Sequence, residues 1–198
     1  MQYAAVVLLG YVLGSIPVSL LVGRAHGVDL RETGDGNPGA WNALEQLGAR
    51  RAWPAFVGDA AKGAAAGLAG LALLGVGGAY AGVAGAMVGH AYPAFARLRG
   101  GKSVMTFAGG GFALSPPAAV VALVACIVVS LATRSFAWGA RVGVFAFPLI
   151  QLAFDPPLRV AATGALMGLI GLRFALAGRR SARATSATGE TRSRSTTR

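Results

Sequence analysis

Long apolar stretches alternate with short polar segments along the whole chain, and the polar segments mark where it turns. Met1 to Gly23 carries no charged residue and matches the roughly 20 residues that a helix needs to cross hydrocarbon. No basic residue precedes this stretch and further spans follow, so it reads as a membrane anchor and not as a cleaved signal peptide. Residues 53–75 and 79–96 supply two more spans. The first of these holds Asp59 and Lys62 one helical turn apart, where the charges can neutralise each other. From Ser103 to Thr133 there is again no charge, but Pro116-Pro117 divides that run into a short fourth span and a fifth of ordinary length. Residues 136–153 and 157–177, parted by Asp155-Pro156-Pro157, complete the set. The pattern predicts an all-α integral membrane helical bundle with about seven transmembrane helices. Residues 1–178 form the membrane-embedded domain, and residues 179–198, rich in Arg, Ser and Thr without apolar periodicity, form a basic, disordered tail.

Composition agrees with this class and charge orients it. With 55% hydrophobic and 13% charged residues and a mean hydropathy of +0.59, the chain is too apolar to be a soluble domain. A net charge of +11 could suggest nucleic acid. The basic residues, however, lie in short clusters between apolar runs and in the tail, leaving no face to follow a phosphate backbone. Membrane lipids or a phosphorylated small molecule are the better partners. If the N-terminus is outside and the C-terminus cytoplasmic, 16 of the 18 Lys and Arg residues fall on the cytoplasmic side; Lys62 lies inside a span and Arg159 falls outside. Cys126, the one cysteine, sits in an apolar run and is read as a packing residue. Small residues four apart (Gly63 and Gly67, Gly78 and Gly82, Gly85 and Gly89, Gly164 and Gly168) predict close helix packing.

Two polar, glycine-rich islands break the apolar pattern, and the charge-based orientation places both on the cytoplasmic face. The first is Gly34-Asp35-Gly36-Asn37-Pro38-Gly39-Ala40-Trp41-Asn42; the second runs from Gly89-His90 to Gly100-Gly101-Lys102. Irregular polar backbone survives in a membrane only where it faces water, protein or ligand. Glycine amides beside Lys102 suit a phosphate, although Ala96 stands where a nucleotide-binding P-loop needs glycine. No His-x4-Asp dyad, Gly-x-Ser-x-Gly elbow or His-Glu-x-x-His is present. An enzyme with this sequence has no evident general base, and nothing implies a metal or cofactor.

From Leu13 to about Thr106 the chain resembles the bacterial membrane acyltransferases that move an acyl chain from acyl phosphate to the 1-hydroxyl of glycerol 3-phosphate. Gly14-Ser15-Ile16-Pro17, Asp29-Leu30-Arg31 leading into the first island, Gly58-Asp59-x-x-Lys62-Gly63, and Gly89-His90-x-x-Pro93-x-Phe95 with Gly100-Gly101-Lys102 carry the resemblance. It implies a seven-span enzyme of the bacterial cytoplasmic membrane, making lysophosphatidic acid for phospholipid synthesis, with a substrate phosphate accepting the proton. Lys102 and the amides of Gly100 and Gly101 would hold the donor phosphate and the oxyanion. Asn37, Gly39, Asn42 and His90 would orient the acceptor, Arg134 would add a second cation, and Asp59 with Lys62 would brace the site.

Several positions depart from the family's pattern. Asp35 replaces a serine, Trp41 a threonine, Glu45 an arginine and Ser103 a glycine; Ala137 and Ala140 replace serines, and the family's closing His and Asn have no counterpart in Leu172-Arg173-Phe174-Ala175. Asp35 and Glu45 bring negative charge to a site meant for phosphates, so a neutral or amine-bearing polar acceptor is an alternative to glycerol 3-phosphate. A noncatalytic lipid-binding or regulatory relative with the same fold is the rival reading. A small transporter has less in its favour, because no inverted repeat is evident.

Overall fold

The computed structural model of the protein describes the backbone of residues 1–195 and the side chains of residues 1–178. Among the described residues the regular structure is helical: α1 (Gln2–Gly14), α2 (Val18–Ala25), α3 (Ala40–Leu47), α4 (Ala49–Ala91), α5 (Val104–Leu114), α6 (Pro116–Thr133), α7 (Phe136–Phe145), α8 (Phe147–Gln151) and α9 (Pro157–Ser195), with a 3-10 turn at Ala94–Ala96.

The central element, α4, is a hairpin. Leu74 and Gly75 leave helical geometry, Gly75 with φ of 66°, and the chain doubles back. The reversal brings the backbones of Gly70 and Gly78 into contact and seats Gly82 on Ala66, with no room for a side chain at any of these glycines. Two predicted spans, 53–75 and 79–96, are thus the two arms of one folded helix. Gly85 and Gly89 on the second arm receive the α1 backbone at Val7 and Tyr11, while Gly63 on the first arm receives α5 at Thr106. Glycine allows this close approach, and dispersion and main-chain contacts replace the hydrophobic effect that lipid cannot supply. Gly164 and Gly168 have nothing within 4 Å, so the packing expected there is not made.

Four helical stretches are long and apolar enough to cross a membrane: Gln2–Ala25, Ala49–Ala96, Pro116–Thr133 and Pro157–Gly178. The predicted fourth span is reduced to the 11 residues of α5, about 16 Å of helix, because Ser115-Pro116 starts a new one. The predicted sixth span is divided at Ala146 into α7 and the short α8, whose second residue is Pro148. The helical backbone of α9 continues to Ser195. Extending an existing helix needs no new nucleus, and the Arg and Ala of this stretch are good helix formers. The side chains from residue 179 and all of residues 196–198, where the rest of the expected tail falls, lie outside the described residues.

Large side chains such as Leu8 and Leu9 of α1, and Val121, Leu123, Ile127 and Leu131 of α6, are exposed. An outward apolar surface of this kind is matched to lipid. Inside, one core gathers Val83, Met87, Phe107, Phe147 and Ile170 between α4, α5, α8 and α9. A second packs Leu20, Leu30, Ala40, Ala43 and Ala55, fixing the first island against α4.

A polar clasp fastens α8 and α9 to α4. The Tyr80 hydroxyl donates to the Arg159 carbonyl at 2.9 Å, accepts from Gln151 Nε2 at 3.1 Å and lies 3.0 Å from Thr163 Oγ1, which donates to Gln151 Oε1 at 2.7 Å. Gln151 and Thr163 are fully buried, so the clasp is costly to leave incomplete. Replacing Tyr80→Phe strands the Gln151 amide donor and is expected to cost about 1–2 kcal/mol, read as a lowered thermal midpoint in detergent; an unchanged midpoint would contradict this role.

Candidate functional site

The site is built around one buried carboxylate. Asp59 on the first arm of α4 is fully buried, as is nearly all of Lys62 one turn later, and the two form an ion pair at 2.9 Å. Ser19 of α2 donates its hydroxyl to Asp59 Oδ2 at 2.7 Å, and Lys62 Nζ donates to the Ile16 carbonyl at 3.1 Å. That carbonyl is available because the chain breaks at Ile16-Pro17 between α1 and α2. His90, 6% exposed near the end of the second arm, brings Nδ1 to 3.6 Å from Asp59 Oδ1. A single charge therefore gathers α2, both arms of α4 and the α1–α2 break, since an ion in this setting is stable only when paired and hydrogen-bonded.

The first island folds as a chain of tight turns running into α3. Gly34 and Gly36 take positive φ, and the Asn37 amide donates to Asp35 Oδ1 at 3.0 Å. Gly39 precedes α3 in an extended conformation, and Asn37 and Gly39 line the cleft described below. Asn42 is placed differently from expectation. Its side-chain amide is buried and donates to the carbonyls of Leu30 at 2.8 Å and Thr33 at 3.0 Å, so it braces the island from beneath and does not line the cleft. Arg31 joins the islands by donating to the Ala96 carbonyl at 2.6 Å and the Arg99 carbonyl at 3.4 Å.

The second island corrects the expected role of its two glycines. The Gly100 amide donates to the Ala91 carbonyl at 3.2 Å and the Gly101 amide to the His90 carbonyl at 3.1 Å, so neither is free for a phosphate or an oxyanion. Both glycines are required by proximity instead: a side chain on Gly100 would strike the His90 backbone, and one on Gly101 the His90 ring. The Gly100 and Gly101 carbonyls accept from Arg173 of α9, at 2.9 Å from Nη2 and 3.1 Å from Nε, and the Arg173 guanidinium stacks over Tyr92 at 4.7 Å. The backbone amides of residues 102–106 have no such partners. None makes a backbone hydrogen bond, since the first helical bond of α5 runs from the Phe107 amide to the Ser103 carbonyl. Ser103, with φ of 63°, turns this run in the left-handed region that glycine adopts without strain, and its hydroxyl is committed to the Met87 carbonyl at 2.7 Å.

A cleft of about 380 Å³ opens beside these elements. Its polar lining includes Asp35, Asn37, Asp59, His90, Lys102 and Arg141, and its apolar lining Phe56, Met105, Val144, Phe145 and Ile170. Lys102 Nζ lies 3.0 Å from Asp35 Oδ2 and 4.7 Å from the centre of the Phe174 ring. Glu45 accepts from Trp41 Nε1 at 2.8 Å. Trp41 in turn stacks on Phe136 of α7, with ring centres 6.0 Å apart. Arg134 is exposed, caps α6 with φ of 51° and does not line the cleft; the arginine that does is Arg141, one helix later. Sequence reasoning also missed Ser19, Arg173 and Phe174. An arginine within an apolar span is a signal of interior function, and it would have singled out Arg173.

Fold and cleft together define a helical, multi-pass membrane protein with an amphipathic cleft lined by both charged and apolar side chains. A family model described as glycerol-3-phosphate acyltransferase matches residues 4–182, and the chain belongs to that family. It is 44% identical to the glycerol-3-phosphate acyltransferase of Rubrobacter xylanophilus over 153 residues, 77% of each chain. To that of Geobacillus kaustophilus it is 40% identical over 162 residues, 80% of this chain and 82% of the relative. The fold is similar to the crystal structure of PlsY, an integral membrane glycerol 3-phosphate acyltransferase, in its glycerol 3-phosphate form, with a TM-score of 0.77, 27% identity, and coverage of 96% of this chain and 94% of the other. The lysophosphatidic acid form of PlsY aligns with a TM-score of 0.75 and 26% identity, covering 96% and 93%.

Arg173 fixes the Gly100-Gly101 backbone through two charge-assisted hydrogen bonds. Arg173→Ala is expected to cost about 2–4 kcal/mol and to speed amide hydrogen exchange at residues 99–103. Arg173→Lys should recover little of this, because an ammonium cannot span both carbonyls. Unaltered exchange in the alanine variant would remove Arg173 from this role.

Proposed function

We infer that this protein is a membrane acyltransferase that moves an acyl chain from acyl phosphate to glycerol 3-phosphate, giving lysophosphatidic acid for phospholipid synthesis. Family membership and the amphipathic cleft support this reading, but the observation that carries it is the run of unpaired amides at residues 102–106 beside Lys102. Such a run at a helix N-terminus is a binding site for a phosphate oxyanion.

In the reaction, the acceptor hydroxyl oxygen bonds to the acyl carbon, the bond from that carbon to the phosphate oxygen breaks, and inorganic phosphate leaves with the electron pair. The hydroxyl proton passes to a phosphate oxygen, so no side-chain base is needed. Lys102 and the amides of residues 102–106 hold the donor phosphate, taking over the part expected of the Gly100 and Gly101 amides. They stabilise the charge that grows on the departing group, an electrostatic contribution that commonly dominates acyl transfer. Asn37 and His90, in the polar lining of the cleft, orient the acceptor; Phe56, Met105 and Ile170 take the acyl chain. Asp59, Lys62 and Ser19 hold His90 and the α1–α2 break in place beneath the site.

Asp35 does not prevent phosphate binding. Its carboxylate is 43% exposed in the pair with Lys102, and a partly solvated pair of this kind is worth only about 0–1 kcal/mol. A phosphate dianion that also meets several amides displaces it readily. Glu45 is turned to Trp41 Nε1 and is likewise no barrier.

Purified protein given palmitoyl phosphate and glycerol 3-phosphate should release lysophosphatidic acid, and no product with this or any polar acceptor would end the catalytic reading. Lys102→Ala should abolish transfer while the protein stays folded. Asp35→Ser should lower the KM for palmitoyl phosphate by roughly 2- to 5-fold at low ionic strength, a gain that shrinks in salt.

The cytoplasmic membrane of a bacterium is the compartment this chemistry fits, with seven crossings, the N-terminus outside, and both islands and the C-terminus in the cytoplasm. Support comes from the side-bias of basic residues and from the two arms of α4, each of which can cross once. A reporter inserted at the Gly75 reversal should read external, and one fused to the C-terminus should read cytoplasmic; the same signal from both positions would refute this topology.

A further inference from the structure

We propose that Arg141 is the residue that binds the phosphate of the acceptor, and so sets acceptor specificity; the proposal rests on the acyltransferase reading above. Five fully charged side chains line the cleft: Asp35, Glu45, Asp59, Lys102 and Arg141. Asp35 is paired with Lys102, Asp59 with Lys62, and Glu45 accepts from Trp41 Nε1. Among the described residues Arg141 makes no ion pair with any carboxylate. Its guanidinium instead rests over the Trp138 ring at 5.1 Å, a contact that orients the cation without neutralising it.

Two phosphates must be handled when an acyl phosphate meets a phosphorylated acceptor. Lys102 and the amides of residues 102–106 account for one, and Arg141 is the remaining cleft cation able to take the other. Its side chain shares a helix face with Ala137, four residues earlier, whose methyl group also lines the cleft and leaves space beside the guanidinium. A planar guanidinium with its donors unused matches a phosphate through two parallel hydrogen bonds. The chemistry recognised is an anionic phosphate ester, a monoester on a soluble acceptor or a diester in a lipid headgroup; the acceptor is favoured because Arg141 lines the cleft that holds Lys102.

The test compares wild type, Arg141→Gln and Arg141→Lys in detergent with palmitoyl phosphate and glycerol 3-phosphate. The Gln variant should raise the KM for glycerol 3-phosphate roughly 10- to 100-fold, the loss of one charge-assisted phosphate contact, with the KM for palmitoyl phosphate unchanged and the Lys variant between. An unchanged KM for glycerol 3-phosphate in an otherwise active Gln variant overturns the proposal and leaves the acyltransferase reading standing. Equilibrium binding of radiolabelled glycerol 3-phosphate separates the two claims from the other side. If wild type binds it but transfers nothing, and the Gln variant does not bind, the site stands and catalysis does not; equal binding by both, or by neither, overturns the site. Repeating the kinetics in vesicles of pure phosphatidylcholine and of phosphatidylcholine with phosphatidylglycerol distinguishes the phosphate's source. The KM effect should persist in both, and an effect confined to the anionic vesicles would assign Arg141 to lipid headgroups and overturn the proposal.

Discussion

A carboxylate with no access to water, Asp59, dictates how the cytoplasmic half of the bundle is assembled. Its charge in an apolar helix costs several kcal/mol unless compensated, and the compensation comes from Lys62 on its own arm, Ser19 on α2 and, close by, His90 on the second arm. Lys62 in turn donates to the Ile16 carbonyl, which lies in the turn at Pro17 and also accepts from the Val18 amide at 3.0 Å. The interruption between α1 and α2, the approach of the two α4 arms and the position of His90 are consequences of one buried ion. Removing Asp59 would leave Lys62 as an uncompensated cation, so the cluster is held in place by the cost of taking it apart.

From that cluster the second island follows by hydrogen-bond accounting. The His90 and Ala91 carbonyls accept the Gly101 and Gly100 amides, and Arg173 takes the carbonyls of the same two glycines. With both edges of the dipeptide occupied, the next free backbone donors are those at residues 102–106, at the mouth of α5. These donors lie beside Lys102, whose ammonium is held between Asp35 and the Phe174 ring. The glycines of the island matter for what they allow to come near, and the residues after them for the backbone donors they leave free.

Much of this was legible in the sequence. Apolar runs and proline breaks gave the helical membrane class and the α4 arms, because hydropathy and backbone chemistry are local properties. The one-turn spacing of Asp59 and Lys62 pointed to their ion pair for the same reason. What the pattern could not supply were partners distant in the chain. Whether the Gly100 amide is free depends on Ala91 and whether the Asn42 side chain reaches a ligand depends on Leu30 and Thr33; no spacing rule relates these. Helix continuity was the other weak point: α5 is short and α7 stops at Ala146 because proline-containing segments begin new helices there, while the hydropathy on either side runs on unbroken.

The substitutions that set this chain apart become coherent once their positions are compared. Acidic residues at 35 and 45 put negative charge at the mouth of the cleft, yet each is engaged, with Lys102 and with Trp41. The Trp41 that restrains Glu45 also stacks on Phe136 of α7, and Phe56 meets the same ring edge-on, with centres 5.5 Å apart. Arg141 lines the cleft, and Arg173 lies behind its wall, where it holds the Gly100 and Gly101 carbonyls. Glu45 stands on α3, while the cations at and behind the cleft are Lys102, Arg141 of α7 and Arg173 of α9, and an aromatic bridge holds the Glu45 carboxylate aside. Such a site acts through its total field and through where that field is aimed, and with Asp35 held by Lys102 and Glu45 by Trp41, Arg141 is the cleft charge without a paired carboxylate among the described residues. The constraint on that charge is geometric: a guanidinium must reach the cleft from a helix already close to it, and α7, whose Ala137 and Ala140 line the cleft with little bulk, meets that condition.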